Sequence, residues 1–227
     1  MKKRSIHISY KDQHHDNRYD KYMEIILRCL EEDKIERSHY KILDVACGRG
    51  ELLRKLKMNE FAVEGFDSDE ECCRLSSKYG PCIRGDIHEI NDYFEENFAD
   101  VVVMSHVVEH LKDPVAQIKK VQAISKKWLI ISVPNPIRPK VLVNALRRRL
   151  YSNKGHYYCW DYSHFINFIT RYSGLELVKL EGDEVKIPGK YIRKFFNFLF
   201  LLDFLELKLL PKLFPNFTTS LIALVKK

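Results

Sequence analysis

The residues that most clearly suggest chemistry are two glycines and an acid in the first third of the chain. Gly48 and Gly50 follow the short apolar run Lys41–Val45 and precede a stretch of helical spacing at residues 51–57. Glycine lets a ligand approach the backbone closely, and the free N–H groups of a starting helix face that ligand. Asp67 follows about twenty residues later, the distance at which a carboxylate reaches a ribose diol. The pattern therefore favours a nucleotide-like ligand.

Two common nucleotide-binding patterns are not met by this turn. For the dinucleotide fingerprint GxGxxG, Ala46 and Gly48 would be followed by a glycine where Glu51 stands. The phosphate loop GxxxxGK[ST] has no match in the sequence, so ATP and GTP lack their usual cradle. A further acid, Asp86, precedes Ile87 after the third predicted strand, where the pair could frame an adenine. For both acids the alternative is an ordinary role in a turn.

A second group of reactive side chains lies further along the chain. The segment SHVVEH contains His106, Glu109 and His110, and the later segment GHYYCWDYSHF adds His156 and His164. Imidazole and carboxylate groups exchange protons with a substrate, so these residues are candidate general bases. The competing interpretation is that Glu109 and His110 only pack and hydrogen bond as structural support.

Strand-like and helix-like segments alternate along the chain, and this alternation predicts the fold. Apolar runs predict strands at residues 41–45, 61–66, 82–84, 101–104, 128–133, 175–180 and 220–225, and helical spacing predicts helices at 19–30, 51–57, 69–79, 114–125 and 161–172. Strands that alternate with helices pair in parallel through right-handed crossovers, which gives a doubly wound α/β sheet. Such sheets bind ligands at the carboxyl ends of their strands, where the glycine turn falls.

The composition predicts a single domain over residues 1–227. The chain is 45% hydrophobic and 30% charged, and its 227 residues suffice for one sizeable core. No apolar run follows the basic N-terminus, so we expect no secretory signal. The six cysteines lack CxxC spacing and are expected to be free thiols in a reducing cytoplasm.

Six segments, in this order, resemble the motifs of class I S-adenosylmethionine-dependent methyltransferases: ILDVACGRG, GFDSD, RGDI, FADVVVMSHVVEHLKDP, WLIISVPNP and GLELV. The resemblance covers roughly residues 40–182 and resumes at the last strand. It is most similar to the branch that contains ubiquinone-pathway O-methyltransferases and bacterial small-molecule and glycan methyltransferases. It implies a seven-stranded, mostly parallel Rossmann-like sheet with helices on both faces. It also implies S-adenosylmethionine as the methyl donor and S-adenosylhomocysteine as the product.

The resemblance implies cofactor-binding roles for residues at successive strand ends. Ala46, which replaces the family's first glycine, lies with Gly48 and Gly50 against the methionine part of the cofactor. Asp44 holds the cofactor's amino group, and Asp67 binds the ribose. The full implied set is Asp44, Ala46, Cys47, Gly48, Gly50, Asp67, Ser68, Asp86, Ile87 and Ser105. An oxygen acceptor must lose its proton as it attacks, and the candidate catalytic residues are His106, Glu109, His110 and His156.

The histidines and the glutamate also resemble the metal site of small-RNA 3′-end 2′-O-methyltransferases. Those enzymes carry a GluxxGluHis segment and a later histidine before a PhexTrp-type stretch, and together these bind a divalent metal. The matching residues here are His106, Glu109, His110 and His156, followed by Trp160. Histidine in place of the first acid favours zinc, iron or manganese over magnesium. A divalent metal and an RNA acceptor therefore stay open as alternatives, although the sequence contains no recognisable RNA-binding module.

Two segments outside these motifs are expected to select the acceptor, as helical caps at residues 137–160 and 186–216. Residues 138–154 hold six basic side chains and no acid in a chain of net charge +7. A basic amphipathic helix of this kind suits an anionic membrane, a phosphate-bearing substrate or RNA. Residues 195–214 are strongly apolar, but Asp203, Glu206, Lys208 and Pro211 interrupt them and argue against a transmembrane helix. We expect this segment to be buried broadly, as a lid, a homodimer interface or a lipid contact.

The sequence therefore predicts a cytoplasmic methyltransferase that associates at most peripherally with the inner face of a membrane. Its expected acceptor is a small molecule, a lipid-linked molecule or a glycan, methylated at oxygen. The rival interpretation is a regulator that binds S-adenosylmethionine but moves no methyl group, since a cofactor motif alone does not establish turnover.

Overall fold

The computed structural model describes residues 16–149, 155–187 and 201–227. Within these ranges the strands are β1 (Lys41–Val45), β2 (Ala62–Asp67), β3 (Cys82–Arg84), β4 (Ala99–Ser105), β5 (Ser125–Pro134), β6 (Glu176–Gly182) and β7 (Ser220–Lys226). The helices are α1 (Asp16–Asp33), α2 (Glu51–Met58), α3 (Glu70–Ser76), α4 (Pro114–Ile124), α5 (Pro139–Leu146), α6 (Tyr162–Asn167), α7 (Leu201–Phe204) and α8 (Leu210–Leu213). Two π-helical turns follow α6 and α7, at Phe168–Tyr172 and Leu205–Leu209. Short 3-10 helices lie at Arg37–His39, Ile87–Asp92, Val108–His110 and Pro215–Phe217.

The strands form one sheet of seven strands in the order β3-β2-β1-β4-β5-β7-β6. β1 pairs in parallel with both β2 and β4, and β2 pairs in parallel with β3. Ile42, Leu43 and Val45 in β1 are fully buried, as are residues 101–104 in β4. Such continuous burial is typical of parallel strands covered by helices on both faces. The predicted doubly wound, mostly parallel α/β fold is confirmed.

The sequence patterns locate most elements to within a few residues. β1 has the predicted bounds, whereas α3 ends at Ser76 rather than at Tyr79. Asp161 caps α6, because its Oδ1 accepts the His164 N–H at 2.9 Å. Gly174, just past the turn that follows α6, has the left-handed φ of 68° that favours glycine.

The chain divides into two compact units, and each contains one of the predicted groups of site residues. The first consists of Met1–Ser105, Ala116–Ile130 and Lys226–Lys227, and it contains the glycine turn. The second consists of His106–Val115 and Ile131–Val225, and it contains the candidate catalytic residues.

In the first unit, hydrogen bonds hold α1 against the sheet. Asp33, at the end of α1, accepts hydrogen bonds from the Tyr40 hydroxyl at 2.6 Å and from the Trp128 indole N–H at 2.8 Å. The Tyr22 hydroxyl donates to Ser105 Oγ at 2.9 Å. Because Ser105 is the last residue of β4, this bond fixes the middle of α1 at the carboxyl end of that strand.

In the second unit, two buried acids join separate stretches of chain. Asp183 Oδ1 accepts the N–H groups of Glu184 at 2.7 Å and Ser220 at 2.8 Å, and burial raises the pKa of this carboxyl. Glu206 Oε1 accepts the Ile187 N–H at 2.7 Å. These bonds attach the chain after β6 both to the start of β7 and to the π-helical turn that follows α7.

The apolar segment 195–214 is described from residue 201 onward. Leu202 and Glu206 are buried, but Phe204 is 56% exposed and Leu213 is 60% exposed. Residues 195–200 lie outside the described residues, so burial of the whole segment as a lid, a homodimer interface or a lipid contact stays a prediction. In the part of the chain that the structure describes, no helix is long and apolar enough to cross a membrane.

Candidate functional site

The turn after β1 contains three left-handed residues. Ala46, Gly48 and Gly50 have φ values of 59°, 57° and 81°. Between the first two, the Cys47 N–H donates to the Phe66 carbonyl in β2 at 3.1 Å, which ties the turn to the neighbouring strand. A left-handed conformation costs an L-residue about 1 to 2 kcal/mol. Ala46 therefore carries backbone strain that the two glycines avoid.

The two glycines of this turn serve different purposes. A Cβ built on Gly50 would lie 2.7 Å from the Ser76 Cβ and 2.8 Å from its Cα, so Gly50 lets the turn pack against the end of α3. A Cβ built on Gly48 would meet no atom of the described chain within 4 Å. Of the two predicted ligand-facing glycines, Gly48 is thus the one with open space beside it.

Asp67, the last residue of β2, holds the turn directly. Its Oδ2 accepts the Gly48 N–H at 2.8 Å, and its Oδ1 accepts the Asp69 N–H at 2.9 Å. The side chain is 8% exposed. Each carboxylate oxygen has a second lone pair that can accept a ligand hydroxyl. The predicted ribose-binding acid and the predicted glycine turn are therefore hydrogen bonded to each other.

Asp44, the fourth residue of β1, is buried with an oxygen that lacks a hydrogen-bond partner. The residue is 3% exposed, and its Oδ1 accepts no hydrogen bond from any described residue. Burial raises the pKa of this carboxyl well above its usual range, the nearby charges of Asp67 and Glu51 raise it further, and the charge of Arg18 offsets only a small part of this rise. A cation beside Asp44 would offset this cost, since an isolated buried charge is strongly disfavoured.

These features fit S-adenosylmethionine at the carboxyl end of β1. The buried oxygen of Asp44 suits a positively charged amino group, and the open space at Gly48 leaves room for the chain of the methionine part. Asp67 lies at the end of the adjacent strand, where it can accept ribose hydroxyls. The arrangement therefore offers a partner for the amino group of the cofactor, at Asp44, and for its ribose hydroxyls, at Asp67.

Four other predicted cofactor residues also lie in the first unit. Asp86 is exposed, and its Oδ1 accepts the His88 N–H at 2.9 Å as the cap of a 3-10 helix, which matches the turn-residue alternative. Ile87 and Ser105 are half-buried, and Ser68 is exposed after β2.

In the second unit, His106 lies apart from the other candidate catalytic residues. Its backbone is left-handed, with φ of 55°, and its N–H donates to the Ser132 carbonyl at 3.1 Å. Its Nε2 shares a hydrogen bond with Ser220 Oγ at 3.1 Å. His106 thus bonds to the two strands β5 and β7.

Glu109, His110 and His156 form a compact cluster. Their potential ligand atoms all lie within 4.8 Å of one another, and the two imidazole rings meet edge to face with centroids 4.7 Å apart. The Tyr157 N–H donates to the Glu109 carbonyl at 2.8 Å, which brings the later segment to the earlier one. Three of the four predicted catalytic residues therefore come together, and among the residues that the structure describes His106 is not part of this group.

The protonation of the two imidazoles follows from their surroundings. His110 Nδ1 lies 2.8 Å from the Gly155 carbonyl, which can only accept, so Nδ1 carries the proton. In the neutral ring, Nε2 then bears the lone pair. Burial lowers the pKa of His156 below 6.5, and the neighbouring His110 and Arg138 lower it further. His156 is therefore mainly neutral at pH 7 and can accept a proton.

Two residues that act on this cluster are not among the sequence candidates, and a further candidate besides His106 lies outside it. Gly155 orients His110 through its carbonyl, a role with no sequence signal because any residue has a carbonyl. Arg138 influences the pKa of His156 and could be found only as part of the basic segment. His164 instead bonds to Asp161 Oδ2 at 2.7 Å at the start of α6.

The parallel sheet, the left-handed glycine turn after β1 and the acid at the end of β2 define a Rossmann-like nucleotide-binding protein. Residues 13–180 match the profile of a family described as a methyltransferase domain, and the chain belongs to this family. The protein is an S-adenosylmethionine-dependent methyltransferase. A search of curated proteins finds no match to the chain.

Several solved structures are similar in fold. A SAM-dependent methyltransferase from Archaeoglobus fulgidus is 19% identical with a TM-score of 0.58, and the match covers 95% of this chain and 100% of that one. Magnesium protoporphyrin IX methyltransferase from Synechocystis PCC 6803, with bound SAH, is 14% identical with a TM-score of 0.60. The match covers 93% of this chain and 84% of that one. The methyltransferase domain of bacterial CtHen1 is 14% identical with a TM-score of 0.60. The match covers 94% of this chain and 99% of that one.

Proposed function

We propose that this methyltransferase acts on a hydroxyl oxygen of a small-molecule, lipid or glycan acceptor. The observation that carries the proposal is the cluster of Glu109, His110 and His156. A hydroxyl must lose its proton as it attacks a methyl group, and a positioned base accelerates that step. His156 is the base in this proposal, because its lowered pKa leaves it unprotonated at neutral pH.

The remaining residues bind and orient the reactants in this proposal. S-adenosylmethionine, when bound, supplies a methyl group already activated by its positively charged sulfur. Asp44 pairs with the cofactor's amino group, Gly48 gives its methionine part room, and Asp67 accepts the ribose hydroxyls. Aligning two reactants in this way can contribute about 7 to 11 kcal/mol in the best cases, so binding and orientation carry much of the catalysis.

The acceptor class is supported by α5 and the residues after it. Leu142 and Leu146 of this helix are exposed, the latter by 84%. Lys140 is exposed as well, as are Arg147, Arg148 and Arg149. Apolar and basic side chains on one segment suit an acceptor that is both apolar and anionic, such as a lipid-linked phosphate or an anionic lipid surface. Residues 150–154 of the predicted basic segment lie outside the described residues.

Replacing His156 by alanine is expected to lower methyl transfer about 100-fold or more, because the hydroxyl then lacks its base. The wild-type rate should stay level near pH 7 and fall only below pH 6.5, as His156 takes up a proton. The measurement uses cofactor labelled in its methyl group and a cell extract separated into lipid, small-molecule and RNA fractions. Label in the lipid or small-molecule fraction supports the proposal.

His164→Ala is the matched control, since His164 lies outside the cluster and should leave the rate unchanged. Label only in RNA would contradict the acceptor class, and an unchanged rate in His156→Ala would contradict the role of the base. Cofactor binding without any labelled product would favour a regulator that moves no methyl group.

A second candidate function, metal-assisted 2′-O-methylation of RNA, is favoured by the ligand geometry of the same cluster. Glu109, His110 and His156 offer one carboxylate and two imidazoles, a common ligand set for zinc, iron and manganese. His110 donates its Nδ1 proton to a carbonyl, which is the usual support of a metal-binding histidine that coordinates through its other nitrogen. A small RNA methyltransferase, HEN1, is also similar in fold to this chain, which supports the RNA part of this alternative.

If this alternative holds, the intact protein will bind one zinc or manganese ion, and His156→Ala will reduce the affinity at least about 100-fold. Equilibrium dialysis followed by measurement of bound metal gives the result. His106→Ala is the informative control, because the sequence counted His106 among the ligands whereas the structure bonds it to Ser220. Its affinity should equal that of the wild type. No bound metal at any concentration would end this alternative.

A further inference from the structure

The cofactor turn lies beside a pair of thiols that the proposed methyl transfer does not use. Cys47 Sγ and Cys82 Sγ are 3.7 Å apart, although the two residues are 35 positions apart in the chain. Cys47 lies between Ala46 and Gly48 in the turn and is 7% exposed. Cys82 begins β3 and is half-buried, so it is the more accessible of the two thiols.

The two sulfurs meet over a glycine that has no side chain to separate them. Gly65 of β2 pairs with Cys82 of β3. A Cβ built on Gly65 would lie 2.8 Å from Cys47 Sγ and 3.3 Å from Cys82 Sγ. Any other residue at this position would thus push the Cys47 sulfur away. The pair therefore depends on a residue in a third segment of the chain.

The surroundings of Cys82 favour its thiolate. The hydrogen bond shared with the Cys47 thiol lowers the pKa of Cys82 below its usual value; burial raises it in part, and hydrogen bonds with Ser76 and Cys73 lower it again. The same bond and burial raise the pKa of Cys47. Thiolates are the reactive form of cysteine towards oxidants and electrophiles. Cys82 is thus the sulfur that reacts first, and Cys47 is positioned to react with it.

We propose that Cys47 and Cys82 form a peroxide-sensitive pair that closes into a disulfide and thereby weakens cofactor binding. In the first step the Cys82 thiolate attacks a peroxide oxygen, an S–O bond forms, and the O–O bond breaks with loss of hydroxide, which takes up a proton as water. In the second step the Cys47 sulfur attacks the Cys82 sulfur. The S–S bond forms, the S–O bond breaks, and hydroxide leaves with the Cys47 proton as water. Two electrons pass from the sulfurs to the peroxide.

The effect on binding follows from the position of Cys47. A disulfide shortens the distance between the sulfurs from 3.7 Å to about 2.05 Å, so the two side chains are drawn together and pull on the turn that contains Cys47. Cys47 is bonded directly to Gly48, whose N–H is held by Asp67 at 2.8 Å. The expected loss of affinity depends on the proposed cofactor site, whereas formation of the disulfide does not depend on that site.

Peptide mapping tests the disulfide independently of binding. The intact protein is treated with hydrogen peroxide, digested with trypsin without reduction, and examined by mass spectrometry. Cleavage after lysine and arginine places Cys47 in the peptide ILDVACGR and Cys82 in the peptide YGPCIR, with no other cysteine in either. The expected product is these two peptides joined, and its absence from the oxidised protein would overturn the proposal.

Calorimetry with S-adenosylhomocysteine tests the consequence. Oxidised protein should bind about 10-fold or more weakly, and dithiothreitol should restore the affinity. Cys82→Ser should keep its affinity after peroxide, while the control Cys159→Ser, which removes an exposed thiol elsewhere, should still respond like the wild type. Cys82→Ala replaces Cys82→Ser if the latter does not fold.

Two outcomes would overturn the regulatory effect: unchanged affinity in protein that contains the 47–82 disulfide, or equal loss of affinity in oxidised Cys82→Ser. Failure of the reduced wild type to bind S-adenosylhomocysteine would instead contradict the proposed cofactor site. The peptide map would then decide alone whether the disulfide forms.

Discussion

Replacing Asp44 by asparagine is expected to weaken S-adenosylhomocysteine binding about 100-fold while making the protein itself more stable. The buried carboxylate is the proposed partner of the cofactor's amino group. A hydrogen bond to a charged group contributes about 1.5 to 3 kcal/mol, which corresponds to a change in affinity of this size. Asparagine keeps the size of the side chain but removes its charge.

The gain in stability follows from the burial of Asp44. Because burial raises the pKa of this carboxyl, the folded protein binds its proton more tightly than the unfolded chain does. The resulting contribution to stability is complete below the carboxyl's ordinary pKa and is lost as the pH rises through the raised pKa. Asparagine does not titrate, so the variant does not lose stability in this way as the pH rises. The advantage of Asp44→Asn in free energy of unfolding should therefore grow with pH, which denaturant titrations at several pH values measure.

Asp100→Asn is the matched control for this variant. Asp100 is also buried in the first unit, but it is fully paired: its Oδ2 accepts the Lys41 N–H at 2.7 Å and its Oδ1 accepts Lys126 Nζ at 2.9 Å. It lies near the start of β4, away from the carboxyl ends of the strands. This variant should lose stability and keep its affinity. A loss of stability in Asp44→Asn would contradict the account of a carboxylate that waits for a cationic partner.

The second large effect is expected at Gly50. Replacement by alanine would place a Cβ 2.7 Å from the Ser76 Cβ in a residue with φ of 81°. Left-handed strain and overpacking together should lower the free energy of unfolding by about 2 to 4 kcal/mol. Denaturant unfolding of the two proteins gives this difference directly.

Gly48→Ala separates backbone strain from packing. Gly48 shares the left-handed conformation but has open space beside it, so alanine should lower the free energy of unfolding by only about 1 kcal/mol. Its added methyl group would occupy the space proposed for the cofactor, and affinity should fall more than stability. Equal losses of stability in Gly48→Ala and Gly50→Ala would show that the turn does not pack on α3 as described.

The sheet could be predicted from sequence because its strands leave local signals. In the run Lys41–Val45 all residues except Lys41 and Asp44 are apolar, and a glycine turn stops it. By contrast, α3 ends at Ser76, and the turn after it packs so tightly on β2 that a Cβ on Gly80 would lie 2.7 Å from the Val63 carbonyl oxygen. A periodic pattern alone extends the helix past that point.

The site was predictable in part for the same reason. Asp67 could be proposed as a ribose ligand from spacing, but its bond to the Gly48 N–H depends on the turn's three-dimensional path. The sequence places His106 with Glu109 and His110 among the candidate catalytic residues, because the three are close together in the chain. Its left-handed backbone and its bond to Ser220, 114 positions away, direct its side chain to another partner. Such long-range contacts leave no mark on local sequence.

We infer that the turn after β1 binds the cofactor through Asp44, Gly48 and Asp67. A calorimetric titration of the reduced wild-type protein and of Asp44→Asn with S-adenosylhomocysteine tests this inference. We expect saturable binding of one molecule per chain, weakened about 100-fold in the variant. No binding to the folded wild type, or equal affinity in both proteins, would contradict it.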